Sequence, residues 1–292
     1  MLLATHNGRN YLEEQIDSIL NQQNVICDIY ISDDHSTDST LSIIRCYLKT
    51  HSNINLLPLG NKFGSAAKNF YRLILDVNFE SYDYIAFADQ DDIWMPDKML
   101  RAVNILELKG ADGYSSNITA FWPNGVQRFI HKSGPQKKYD FLFEPAGPGC
   151  TYTLNVSSAI FLKRFLLSTP TAIEFPKHDW LFYALIRNAG RKWVIDSRSS
   201  MFYRQHNANE VGANIGFSAK LVRLKFLYQG HYLNNVIHLC EILGVDSKIY
   251  FSKNPLILRL RFLKNIYKCR RNVIEGIALV TLVILGVAKV YL

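Results

Sequence analysis

Through the first half of the chain, short apolar runs alternate with apolar residues at helical spacing. This is the signature of strand–helix–strand units assembled into a parallel sheet. Leu2 to Ala4 reads as a first strand, after which Tyr11, Leu12, Ile16, Ile19 and Leu20 mark one face of a helix. Ile29 to Ser32 gives a second strand, followed by a helix over roughly residues 39–49 with Asp38 near its positive N-terminal end. Ile54 to Leu59 reads as a third strand, and Phe70, Leu73, Ile74 and Val77 place a helix after Gly64. Tyr84 to Ala88 is a continuous apolar strand that stops where Asp89 begins an acidic cluster, and Pro96 suits the first turn of a helix reaching about Leu108.

After Gly113 the regular alternation gives way to strands and loops. Tyr114 to Phe121, Val126 to Ile130 and Thr151 to Phe161 read as extended, with a Pro/Gly loop over 145–149. A helix over 179–188 and strands over Trp193 to Ile195 and Ser200 to Arg204 follow. Past Phe217 the pattern is helical. The expected organisation is one main domain over 1–216, whose pattern changes at about 112, and then a helical tail over 217–292.

Charge sharpens that division. The net charge of +8 comes from the tail, where eleven Lys and Arg residues between Phe217 and Asn272 face only Glu241 and Asp246. Ile277 to Ala288 is an uninterrupted run of apolar or small residues. A span needs about 20 predominantly apolar residues, so the end reads as a marginal transmembrane helix, an interfacial anchor or a buried helix. Basic residues ahead of an apolar end suit an anionic membrane surface on the cytoplasmic side and fit nucleic acid less well. Five cysteines with no Cys-x-x-Cys spacing indicate neither a disulfide framework nor a zinc site, and a cytoplasmic compartment is expected. The first strand is short enough to suggest an upstream start.

Ligands of open α/β sheets bind beyond the carboxyl ends of the strands. Three polar clusters sit at such ends: Thr5-His6-Asn7-Gly8, Asp33-Asp34 and Asp89-Gln90-Asp91-Asp92. Carboxylates two residues apart after a buried strand can hold a hard divalent cation, Mg2+ or Mn2+, together with phosphate oxygens. Such a cation offsets charge on a departing diphosphate. An acidic loop is otherwise ordinary solvated surface, and Asp38 and Ser39 read simply as helix-capping residues. Asp33, nearer its strand, is placed to accept a hydrogen bond from a nucleotide base.

Taken in order, Thr5-His6-Asn7-Gly8, Ser32-Asp33-Asp34 with Ser36, Asp38 and Thr40, Asn61-x-x-Gly64, and Asp89-Gln90-Asp91-Asp92-Ile93-Trp94 resemble glycosyltransferase family 2, whose fold is GT-A. The resemblance covers about the first 210 residues. Asp-Gln-Asp-Asp-Ile-Trp, His178-Asp179-Trp180 and Tyr203-Arg204-Gln205-His206 are most similar to bacterial rhamnosyltransferases of surface polysaccharide synthesis. The resemblance implies a mixed, mostly parallel sheet with flanking helices and a nucleotide diphosphate sugar donor, dTDP-rhamnose for the rhamnosyl subgroup. It also implies an inverting transfer to a glycan or lipid-linked acceptor at the inner face of the cell membrane.

The resemblance implies further that Thr5 and Asp33 contact the base, Asp89 the ribose or metal region, and Asp91 the metal. Asn61, Lys68 and Asn69 fall where the family contacts the nucleotide. Asp179 matches the general base on the acceptor hydroxyl, on the face opposite the leaving diphosphate. His178 departs from the glutamate usual before that aspartate. His206 either completes the metal site or is a structural histidine at a strand end. Trp94 and Trp180 suit sugar stacking or, taken singly, core packing. A sugar nucleotidyltransferase would need more glycine after the first strand, a glycosidase would not need the nucleotide pocket, and a non-catalytic homologue would not need both the metal carboxylates and Asp179.

Overall fold

The computed structural model describes residues 1–206 and 217–289. The chain forms two compact units, Met1–Ser133 with Ala146–Ala213, and Gly134–Pro145 with Asn214–Leu292. The expected boundary at 216, the side chains of Lys220 and Arg223, and the last three residues of the apolar end lie outside the described residues.

The first unit is a mixed sheet flanked by helices. Its strands are β1 (Leu2–Thr5), β2 (Ile29–Asp33), β3 (Ile54–Leu56), β4 (Tyr84–Asp89), β5 (Ile93–Trp94), β6 (Gly113–Phe121), β7 (Gln127–Ile130), β8 (Thr153–Asn155) and β9 (Trp193–Arg204). They lie in the order β3-β2-β1-β4-β8-β6-β9-β5, with β7 on β6. The first four strands run parallel, β8 is antiparallel between β4 and β6, and β9 is parallel to β6. Helices α1 (Leu12–Leu20), α2 (Thr40–Thr50), α3 (Ala66–Asp76), α4 (Lys98–Lys109), α5 (Val156–Ser168) and α6 (His178–Asn188) accompany them.

The helical spacing read from sequence is what the core uses. Leu12, Ile16 and Ile19 of α1 and Ile44 of α2 are buried against Leu3, Ile29, Ile31, Ala86 and Ala88 of the parallel strands. Each fully buried aliphatic side chain contributes about 1.5–3 kcal/mol. Ser65 caps α3 by accepting the Lys68 amide, and Gly110 ends α4 in a left-handed conformation at φ 54°. Trp94 and Trp180 are both buried, which is the packing alternative.

Three stretches differ from the sequence reading. Residues 151–161, expected to be extended, form only the short β8 before α5 begins at Val156. Asn155 causes the switch, its side chain accepting the Ser158 amide at 2.9 Å as a helix cap. The two strands expected after Trp193 are one continuous β9, irregular where Asp196 to Ser199 oppose β6. The third strand ends at Leu56 rather than Leu59.

The second unit is helical: α7 (Phe217–Tyr228), α8 (His231–Leu243), α9 (Pro255–Lys264) and α10 (Val273–Ile284). Residues 134–145 belong to it. Asp140, fully buried, lies 3.4 Å from the Arg271 guanidinium, and Glu144 lies 3.3 Å from the same group. Phe143, Tyr250 and Phe262 meet edge to face beside them. No helix among the described residues is long and apolar enough to cross a membrane. The twelve residues of α10 would rise only about 18 Å at 1.5 Å each, against a hydrocarbon core of about 30 Å.

Candidate functional site

Parallel pairing brings the strand-end residues to one edge. Thr5 is opposite Asp33 across β1 and β2, and Ala4 is opposite Asp89 across β1 and β4. The three polar clusters singled out from sequence therefore meet where three parallel strands end.

Hydrogen bonds stitch the loops leaving those strands. Thr5 Oγ1 donates to Asp33 Oδ2 at 2.9 Å, and Asp33 also accepts the Ser36 amide at 2.8 Å and the Ser36 hydroxyl at 2.6 Å. Both Thr5 and Asp33 are buried. Asp34 accepts the Phe63 and Gly64 amides and so holds the 61–64 loop, with Asn61 exposed on it. Asn7, at φ 49°, accepts the Thr37 amide at 2.8 Å. Gln90 clasps His6 at both backbone groups, accepting its amide at 2.9 Å and donating to its carbonyl at 2.8 Å. Gly8 is required beside that clasp, since a Cβ there would lie 2.3 Å from Gln90 Oε1. Asn69 is buried in α3 and donates to the Ser32 carbonyl at 2.8 Å, which fixes a strand end. Lys68 is turned to Glu174, 2.8 Å away at an exposed position.

The acidic cluster is held from β9. The Arg204 amide donates to Asp92 Oδ1 at 3.1 Å, and its Nε donates to the Asp91 carbonyl at 2.8 Å. Its guanidinium also pairs with Glu14 and lies 4.6 Å from the ring centres of both Tyr11 and Phe121. Two residues on, His206 Nε2 is 2.7 Å from Asp91 Oδ2, and its ring stacks on Tyr11 at 4.8 Å. The Asp91 and His206 side chains are largely but not fully covered.

Beneath them, Asp89, Asp92 and Cys150 each bring one ligating atom within 4.8 Å of the others. Burial, with Asp91 and Asp89 adding to it, pushes the Asp92 carboxyl well above the usual range, and burial likewise raises the Cys150 thiol. Lys98 lies buried below, donating to the Cys150 carbonyl at 3.2 Å and sitting 3.7 Å over the Trp94 ring. Burial lowers its ammonium to about 8.

Asp179 approaches the same turn from the other side. It occupies the first turn of α6 and accepts the Trp180 amide at 2.8 Å. A Cβ built on Gly149 would lie 3.3 Å from Asp179 Cβ and 2.4 Å from His178 Nε2. Gly149 adjoins Asp179 while Cys150 adjoins Asp89 and Asp92, so a single peptide step separates the two carboxylate groups' neighbours. The His178 ring stacks on Phe70 at 4.2 Å, and burial lowers its pKa to about 4.

The site residues expected from sequence thus fall in three places. His206 meets Asp91, Asp89 instead groups with Asp92 and Cys150, and Asp179 lies across the 149–151 turn. Thr5, Asp33 and Asn69 shape the adjoining strand ends, and Lys68 is engaged with Glu174. Sequence reading missed Gln90, Lys98, Gly149, Cys150 and Arg204 as participants. Only Arg204 and Gln90 carried a signal, inside motifs already singled out.

The Asp89, Asp91 and Asp92 carboxylates, with the His206 imidazole on Asp91, are hard donors of the kind a divalent cation such as Mg2+ or Mn2+ takes, whereas the Cys150 thiol grouped with Asp89 and Asp92 is a soft donor that such a cation does not need. The Asp91 and Asp89 carboxylates add to the burial that raises Asp92, and a cation would relieve that crowding.

A parallel sheet with this acidic edge, continued by a mixed half and a helix carrying a further carboxylate, defines the GT-A class of nucleotide-sugar transferases. The chain belongs to glycosyl transferase family 2, whose description matches residues 2–166. It is 42% identical over 295 residues to the dTDP-rhamnosyl transferase RfbG of Shigella flexneri, covering 98% of this chain and 100% of that one. Over 73% of this chain and 79% of the relative, it is 23% identical to the Escherichia coli UDP-Glc:alpha-D-GlcNAc-diphosphoundecaprenol beta-1,3-glucosyltransferase WfaP. Solved structures share the fold. TarS of S. aureus in complex with UDP-GlcNAc superposes with a TM-score of 0.57 at 14% identity, over 97% of this chain and 80% of that one. The Pyrobaculum calidifontis mannosyltransferase PcManGT, in complex with GDP-Man and Mn2+, gives 0.52 at 17% identity, over 99% and 80%. The protein is therefore a glycosyltransferase.

Proposed function

We propose that the chain transfers L-rhamnose from dTDP-rhamnose, with inversion, to a glycan or lipid-linked acceptor in bacterial surface polysaccharide synthesis. The observation that carries this reading is that Cys150 adjoins Asp89 and Asp92 of the acidic cluster while the preceding Gly149 adjoins Asp179, with His206 on Asp91 of the same cluster. End-to-end likeness to a dTDP-rhamnosyl transferase supports the donor.

Asp91 and His206, with Asp89 of the same acidic cluster, would hold Mg2+ or Mn2+. When bound, that cation supplies positive charge to the diphosphate leaving group. Thr5 and Asp33 form the base-recognising edge, with Lys68 and Asn69 bordering it. Asp179 accepts the proton of the acceptor hydroxyl, which makes the oxygen a better nucleophile towards the anomeric carbon. An inverting transfer needs that carboxylate on the face opposite the departing diphosphate. The enzyme would act at the inner face of the cell membrane, where lipid-linked acceptors are reached.

The test is incubation of the full chain with dTDP-rhamnose, Mn2+ and a membrane extract containing lipid-linked glycans, with the product's anomeric configuration read by NMR. A rhamnosylated product of configuration opposite to the donor is expected. Retention of configuration, or transfer from UDP-glucose in preference to dTDP-rhamnose, would overturn the reading.

A further inference from the structure

Helix α9 presents its apolar residues to solvent. Asn254 caps it by accepting the Leu256 amide at 2.9 Å, and Pro255 occupies the first turn, so the helix is firmly started. Leu258 and Phe262 face the interior of the C-terminal unit. On the opposite side Leu256, Leu260 and Leu263 are 64%, 56% and 50% exposed, and Tyr267 just beyond the helix is 62% exposed. Their spacing of four, three and four residues is that of a single stripe at 3.6 residues per turn. The surface of a water-facing helix carries polar residues there.

The flanks of the stripe are basic. At about 100° per residue, Arg259 and Lys264 fall on opposite sides of the line through Leu256, Leu260 and Leu263, and both are exposed. From Ser247 to Ile274 the sequence contains no Asp or Glu. A second copy of this face would therefore bring like charges together, while a nucleic acid would leave the leucines without a partner. An apolar stripe between two basic edges matches the acyl boundary and phosphates of an anionic bilayer.

We propose that α9 lies in the headgroup plane of an anionic membrane, with Leu256, Leu260, Leu263 and Tyr267 in the acyl boundary and Arg259 and Lys264 on lipid phosphates. The proposal deepens the reading of a membrane-face transferase and rests on it for its purpose. It adds α9 to the apolar C-terminal run as a membrane contact, since α10 turns Leu279, Val280 and Val283 inward but exposes Ile274 and Ile277.

The test is flotation of the full chain with vesicles of phosphatidylcholine alone or mixed with phosphatidylglycerol, at low and high salt. The chain is expected to float with the mixed vesicles, less so as salt rises. The Leu256→Ser/Leu260→Ser/Leu263→Ser variant should partition at least about tenfold more weakly. The Arg259→Gln/Lys264→Gln variant should lose about thirtyfold on anionic vesicles and little on neutral ones. Melting temperatures should stay unchanged, since all five side chains are exposed. Partitioning of either variant like the unaltered chain would overturn the proposal. So would failure of the chain to float with mixed vesicles, or light scattering that shows copies joined through the leucines instead. Donor-induced stabilisation in solution is measured in parallel, so a failure of the transfer reading remains distinct from a failure of membrane docking.

Discussion

At the scale of single residues, the site separates side chains that act from those that aim them. Asp91 is expected to be indispensable for cation-dependent donor binding, so Asp91→Asn should abolish the donor's thermal stabilisation in Mn2+. Asp179→Asn should leave that stabilisation intact while lowering transfer about 10²–10⁴-fold, the usual worth of a general base. Undiminished transfer by either variant would remove its assigned role. Arg204 aims the cluster, because its amide and Nε fix Asp92 and Asp91 while its guanidinium rests on Tyr11 and Phe121. Arg204→Gln should raise the Mn2+ concentration for half-maximal donor binding about 10–100-fold, as loss of support behind a metal ligand does. His178 contributes a pH dependence. Its folded pKa of about 4 lies below the ordinary 6.5, so the unfolded chain binds more protons between those values. Its contribution is present above pH 6.5 and is lost as pH falls towards 4, on the order of 3 kcal/mol in full. Melting temperature measured across that window should fall less steeply in His178→Gln than in the unaltered chain.

At the scale of elements, the decisive piece is the 149–151 turn, which carries Cys150 to the acidic cluster and Gly149 to α6. Gly149→Ala would drive a methyl into the His178 ring, which cannot retreat easily because it is stacked on Phe70. A cost of about 1–3 kcal/mol is expected from such overpacking, visible as a lowered melting temperature, with transfer reduced more than donor binding. The parallel half of the sheet was legible because β1, β2 and β4 are largely buried apolar runs that stop at polar residues, and their alignment follows from parallel register. The 149–151 turn was not legible, since a loop without periodicity reveals nothing of its neighbours. Residues 156–161 were misread because Val156, Ile160 and Phe161 favour strands, whereas the cap at Asn155 decides for helix. The continuity of β9 was hidden by Asp196 to Ser199. Those polar residues look like a break until Asp196 is seen engaged by Arg101 at 2.6 Å and Tyr114 at 3.0 Å.

At the scale of the whole molecule, the order of strand-end motifs identified the reaction class, while the division of the chain was only partly visible. The basic helical tail could be read from composition, but the membership of residues 134–145 in the C-terminal unit depends on Asp140 and Glu144 meeting Arg271. Pairs so far apart in sequence leave no local trace. The central claim is a cation-dependent site for a deoxythymidine diphosphate sugar. It is tested most directly by thermal unfolding of the full chain with dTDP-rhamnose or UDP-glucose, each with and without Mn2+. A donor present at about a hundredfold over its dissociation constant adds about 2.7 kcal/mol to stability. That amount should raise the melting temperature by roughly 5–10 °C, for dTDP-rhamnose with Mn2+ and not without it. Equal stabilisation by dTDP-rhamnose in the presence and absence of Mn2+, or stabilisation by UDP-glucose alone, would contradict it.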